Sequence, residues 1–251
     1  MKLRIKFKKY GAVRFIGHLD VMRFFQKAIR RAGIDVTYTT GFSPHQVMSF
    51  AAPLGVGLLS NGEYMDIQVN SLPAPGDGMT ACQMLTERLN SAGVKGLDVI
   101  SARVLPENAG NAMASVAAAS YTVRFREGRE PEIFCDGAVS DALINAALKN
   151  FLSKEEIMIT KETKKGKRQV DLRPGIYELS WQDGAFYMLI DASSAGNIKP
   201  VQIITALLEE NGETLKENAL LIIREDVFTE APNSDASERR FLSLGEIGGS
   251  Q

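Results

Sequence analysis

Residues 2–33 read KLRIKFKKYGAVRFIGHLDVMRFFQKAIRRAG and carry two periodicities in succession. Over 2–8, Leu3, Ile5 and Phe7 alternate with Lys2, Arg4, Lys6 and Lys8. A period of two predicts a strand with one buried face. From residue 19 the apolar residues Leu19, Met22, Phe25, Ala28, Ile29 and Ala32 fall at helical spacing. Gly17 suits the N-cap, Asp20 the first-turn dipole and Gly33 the stop.

Working outward, short strand signals follow at 35–38, 46–51 and 63–69, then a helix over about 78–91 and a strand over about 97–104. In the last of the first three, Met65, Ile67 and Val69 alternate with Tyr64, Asp66 and Gln68. The Ala/Asn/Gly-rich stretch 106–118 reads as a linker. The succession then recurs: a strand over 119–126, a helix over 138–151, a strand near 155–160 with a basic loop, a hairpin of 176–181 and 185–191 closed by Asp183-Gly184, a helix over 200–210 and a strand over 219–226. Asp-Gly between alternating apolar runs is a strong hairpin signal. Corresponding elements lie 117–122 residues apart, which suggests an architectural repeat.

The expected fold is therefore α+β, with two tandem ferredoxin-like (βαββαβ) units and antiparallel sheets. Residues 1–105 form the first unit, 106–118 the linker, 119–229 the second unit and 230–251 a mobile tail. A single mixed sheet is the competing arrangement.

The net charge of −1 conceals an asymmetry. Residues 1–31 hold ten cations and one anion, a balance of +9, and the remainder carries −10. A split-βαβ sheet leaves one face open, so Lys2, Arg4, Lys6 and Lys8 are expected to project from it. Arg23, Lys27, Arg30 and Arg31 line one stripe of the first helix. A second cluster spans 161–173, where Lys161, Lys164, Lys165, Lys167, Arg168 and Arg173 outnumber Glu162 and Asp171. Such clusters are the footprint expected of a nucleic-acid-binding surface. The competing reading is internal: Asp66 pairs across the strands with Arg4 or Lys6.

Both histidines precede residue 46. His18 opens a helix four residues after Arg14, where free N–H groups attract anions. His45 ends the turn Gly41-Phe42-Ser43-Pro44-His45. Two histidines beside arginines are the parts of a metal-independent RNA-cleaving acid–base site, although each histidine can equally cap or pack a turn. Composition excludes other chemistries. Cys82 and Cys135 stand apart and read as reduced, buried thiols; they cannot hold an iron–sulfur cluster or a structural zinc. Gly55-Val56-Gly57 lacks the third glycine of a dinucleotide loop. No apolar run is long enough for a membrane span, and no export signal is expected, which places the chain in the cytoplasm.

Several runs carry a family resemblance: Val13-Arg14-Phe15-Ile16-Gly17-His18-Leu19-Asp20, Ala28-Ile29-Arg30-Arg31-Ala32-Gly33, Gly41-Phe42-Ser43-Pro44-His45, Pro53-Leu54-Gly55-Val56-Gly57 and Glu63-Tyr64-Met65-Asp66. Together they resemble the bacterial radical-SAM-linked protein family. The match is close over about residues 2–70, and Lys167-Arg168-Gln169-Val170-Asp171-Leu172-Arg173-Pro174 resembles its second-half motif. The family commonly has Ser where Gly17 stands and Pro where Gln46 stands.

The resemblance implies a bacterial partner of a radical-SAM enzyme that carries no cofactor of its own. The resulting expectation is an accessory protein that presents an anionic substrate, RNA foremost. Its ligand-binding candidates are Arg14, His18, Arg23, Arg30, Arg31, Gly41, Phe42, Pro44, His45, Lys165, Lys167, Arg168, Asp171 and Arg173. His18 and His45 are the catalytic candidates of the endonuclease alternative. A protein adaptor without nucleic acid is the third.

Overall fold

The computed structural model describes residues 1–76, 78–135, 140–163, 166–232 and 239–249. The protein is α+β, with mostly antiparallel strands and five α-helices. It divides into two compact units: Met1–Ala117 with Arg224–Gln251, and Ala118–Ile223.

The first unit begins with β1 (Lys2–Lys9) and α1 (His18–Arg31), followed by β2 (Met48–Phe50), β3 (Leu59–Gln68), α2 (Ala81–Ser91), β4 (Val99–Val104) and α3 (Ala112–Ser115). β1 lies between β3 and β4, and β2 pairs with the far end of β3. Leu3, Ile5 and Phe7 pack on Val21, Phe25 and Ile29 of α1 and on Leu85 and Leu89 of α2. The alternation that predicts β1 carries on to its end, so Lys9 shares the buried side of Leu3, Ile5 and Phe7; the pairing shifts register between Phe7 and Lys9, where β3 holds one extra residue. The expected strand at 35–38 reduces to two isolated bridges, Val36 to Val69 and Tyr38 to Gln46.

The stretch expected to be a linker instead contains α3. Asn111 caps it by accepting from Met113 N, and Ala112 is fully buried.

In the second unit, β5 (Ala118–Phe125) precedes α4 (Asp141–Leu152), whose expected start at 138 lies outside the described residues. β6 (Met158–Thr163) and β7 (Gly166–Asp171) form a two-stranded sheet of their own, where the sequence suggested one strand and a loop. β8 (Ile176–Gln182) and β9 (Ala185–Asp191) form the expected hairpin, and β9 pairs with β5. Asp183 and Gly184 both take positive φ, +51° and +70°, as a two-residue hairpin turn requires. α5 (Pro200–Glu210) covers this sheet with α4, burying Ile203, Ile204, Leu207 and Leu208.

β10 (Leu220–Glu230) then carries the chain from the second unit back into the first. There its later residues lie beside β3, and β11 (Phe241–Ser243) pairs with it. Of the C-terminal stretch expected to be mobile, Phe241–Ser243, Leu244 and Gly249 are docked on the first unit. Leu244 is fully buried, and Gly249 exchanges both backbone hydrogen bonds with Val104 (2.9 and 3.0 Å).

The free edge of β4 is blocked at both ends. Asn90 presents its side-chain amide to Val99 N and O (2.8 and 2.9 Å), as a strand would, and Gly249 holds Val104. Cys82 is buried as expected; Cys135, expected to be buried, is exposed because it follows a surface 3-10 turn at Glu132–Phe134.

Candidate nucleic-acid interface

The strand cations do not form an open platform. Lys2 donates to Ala109 O (3.1 Å), and Arg4 forks onto Asp66 with both residues buried. Lys6 pairs with Asp226 at 3.1 Å. Asp226 also accepts from Tyr64 OH and, at 2.8 Å, from Ser243 Oγ. Tyr64 is therefore buried and unable to stack on a base; burial, reinforced by Asp226, pushes its phenol well above the ordinary tyrosine range. Ala109, Asp66 of β3 and Asp226 of β10 supply the partners, which explains why the expected open face is closed. Lys8 alone of the four remains exposed.

The α1 stripe survives in part. Val21, Phe25, Ala28 and Ile29 are buried, and Arg23, Lys27 and Arg30 lie exposed on the other side. Arg23 meets Asp20 at 3.2 Å, an exposed pair worth little. Lys27 and Arg30 have no carboxylate partner among the described residues. Arg31 leaves the set. Its Nε and Nη2 both donate to Ala92 O (3.1 and 2.6 Å), tying α1 to the end of α2.

Exposed apolar groups accompany these cations. Phe15 is 61% exposed and Leu19 60%, and Phe42 stands fully out of the protein. The sequence reading named Phe42 among the ligand-binding candidates but not Phe15. Its signal was an apolar residue two places before the N-cap Gly17, four residues before the exposed Leu19.

The loop bearing Phe42 is braced from within. Thr39 N donates to His45 O (2.8 Å), His45 N to Thr39 Oγ1 (3.1 Å), and the imidazole Nδ1 lies 3.1 Å from the same oxygen. Gly41 bends it at φ +117°, and Pro44 is exposed beside His45. Gln46 Nε2 donates to Gln26 O (3.1 Å) and so tethers the loop to α1.

Arg14 and His18 occupy the other end of the helix. Arg14 O accepts from Gly57 N (2.8 Å), and its guanidinium lies 4.6 Å from the Phe15 ring centre. Its Nε is buried with no hydrogen-bond partner among the described residues. The His18 ring packs edge-on against Phe50 at 4.9 Å. Burial lowers its pKa; Glu63 opposes that shift and Lys9 adds to it.

Beneath lies a charged cluster that sequence reading missed. Glu63 pairs with Arg224, Arg224 also donates to Ala52 O (2.6 Å), and Lys9 Nζ donates to Ile16 O (3.0 Å). Burial depresses the Lys9 pKa, with Glu63 opposing. Glu63 was detectable in principle, since it shares the inward parity of Met65 and Ile67.

The two histidines share no partner among the described contacts: His18 packs on Phe50, and the His45 loop is tethered at Gln26, eight residues further along α1, about 12 Å along a helix.

In the second unit, Lys165 lies outside the described residues. Lys167 faces Glu162 at 3.7 Å, and Arg168 lies opposite Lys161. Asp171 and Arg173 serve the fold. Asp171 Oδ1 accepts from Ile157 N (2.8 Å) and Arg173 N (2.9 Å), and Arg173 Nε donates to Leu152 O (3.2 Å) at the end of α4.

Among the described residues no three His, Cys, Asp or Glu side chains could hold a metal, and no helix is long and apolar enough to cross a membrane. These features define an α+β protein of two units with a basic, partly aromatic helix face. The chain belongs to the family described as "uncharacterized protein conserved in bacteria (DUF2344)", whose model matches residues 2–200. That description names no enzyme, substrate or partner. No curated protein matches the chain significantly.

Proposed function

We propose that the protein binds single-stranded RNA through the exposed side of α1, as an accessory to a radical-SAM enzyme. The observation that carries the reading is the grouping of Arg23, Lys27 and Arg30 with exposed Phe15 and with Phe42 on a loop tethered to the same helix. Cations follow a phosphate backbone, and exposed aromatic rings stack on unpaired bases. Arg14 and His18 extend the surface at the helix start. The enzyme partner rests on the sequence resemblance alone. The two units are read as copies of one split-βαβ plan, supported by the recurrence of a strand–helix opening and a helix–strand close in each.

Fluorescence anisotropy with a labelled oligouridine, titrated with salt, tests the reading. Affinity should fall steeply with salt, and Arg23→Gln/Arg30→Gln should weaken binding at least about tenfold with a shallower salt slope. Salt-independent binding, or a double variant that binds like wild type, overturns it.

A further inference from the structure

In the second unit, a surface concentrates cations that the described fold does not use. β6 and β7 pair only with each other among the described residues. Their register sets Lys161 directly opposite Arg168. Like charges facing across an antiparallel pair destabilise it, and neither has a carboxylate partner among the described residues. The other face is internally balanced: Lys167 lies 3.7 Å from Glu162, and Gln169 Nε2 donates to Thr160 Oγ1 (3.1 Å).

The ribbon is firmly rooted. Ile159 packs against the core of the second unit, Leu172 N donates to Ile157 O (2.9 Å), and Asp171 and Arg173 fix the base as described.

We propose that this ribbon holds the phosphate backbone of RNA, a contact in the second unit that rests on the reading of the protein as RNA-binding. A polyanion between Lys161 and Arg168 offsets their mutual repulsion, which nothing within the described fold does. A protein partner fits poorly, because protein interfaces centre on buried apolar or aromatic anchors. On these strands the only large exposed apolar residue among those described is Met158, at the base. A contact made by charge alone is indifferent to base sequence.

The test measures oligouridine affinity across a salt titration for wild type, for Lys161→Gln/Arg168→Gln and for Arg23→Gln/Arg30→Gln. Each phosphate contact to a single strand contributes about 0.7 to the slope of log affinity against log salt, so the ribbon variant should flatten it by about 1.4. Its melting temperature should hold or rise, since a repulsive pair is gone; Lys161→Thr/Arg168→Thr, which keeps strand propensity, should behave alike. Unchanged affinity and slope in both ribbon variants, with wild type binding and the α1 variant impaired, overturns the ribbon and leaves the α1 reading intact. Loss confined to the ribbon variants supports the ribbon and overturns α1. A wild-type protein that binds no RNA overturns both.

Discussion

Arg4 and Asp66 face one another across β1 and β3, joined by two parallel hydrogen bonds, Nε to Oδ1 at 2.8 Å and Nη2 to Oδ2 at 2.9 Å. Asp66 also accepts from Ala112 N at 3.1 Å, so one carboxylate holds a strand and the start of α3. Asp66→Ala would leave a buried guanidinium unmatched and should cost about 3–5 kcal/mol. Arg4→Met/Asp66→Leu removes both charges and should recover a large part of that loss. Urea denaturation of the two variants checks this; an Asp66→Ala protein as stable as wild type would refute it.

Phe42 separates binding from folding. Its side chain is fully exposed, so Phe42→Ala should change stability by no more than about 0.5 kcal/mol. If the ring stacks on a base, RNA binding should weaken by about 1–3 kcal/mol. Parallel melting and anisotropy measurements read the two effects, and undiminished affinity would remove Phe42 from the interface.

The pKa of His18 is lowered in the folded protein, chiefly by burial. The unfolded chain therefore binds more protons just below the ordinary imidazole value of about 6.5. Stability should fall as pH drops from that value through the lower folded pKa. His18→Asn should show a smaller loss between neutral pH and pH 5.5. Denaturation midpoints at the two pH values measure it; equal losses would place the sensitivity elsewhere.

β10 reaches β3 across Gly62. A Cβ there would lie 2.6 Å from Glu225 O and 2.9 Å from Asp226 Cα, both backbone atoms. Gly62→Ala should cost about 1–3 kcal/mol by forcing the strands apart. The amides of Phe241–Ser243 should then exchange hydrogen faster, because β11 hangs on β10. Unaltered exchange with unaltered stability would show that β10 can shift without loss.

Local pattern made much of this architecture legible. Helical spacing gave α1 and α5, alternation gave β1 and β3, and Asp183-Gly184 gave the β8–β9 hairpin, because each signal lies within a few residues. Alternation carries Lys9 to the inward side, but that its ammonium ends on Ile16 O depends on the turn that follows β1. α3 was missed because four residues carry no periodicity; only Asn111 marked it. The docking of 241–249 depends on Asp226 meeting Tyr64 and Lys6, partners some 160 and 220 positions distant, which local pattern does not contain. For the interface, the α1 cations were readable as a stripe. That Arg31 belongs to Ala92 O was fixed only by tertiary contacts, whereas the cross-strand reading had already offered Asp66 to Arg4 or Lys6.

The return of β10 into the first unit has a consequence for biosynthesis. A ribosome releases Glu63 and Lys6 long before it makes Arg224 and Asp226, and all of Ala118–Ile223 emerges in between. The second unit has its complete sequence first, and the first is finished last. A fragment ending at Ala117 is thus an unfinished domain, with a buried acid lacking its base and a strand edge lacking its neighbour. A nascent chain stalled there would present that edge and that charge to chaperones and proteases until β10 arrives.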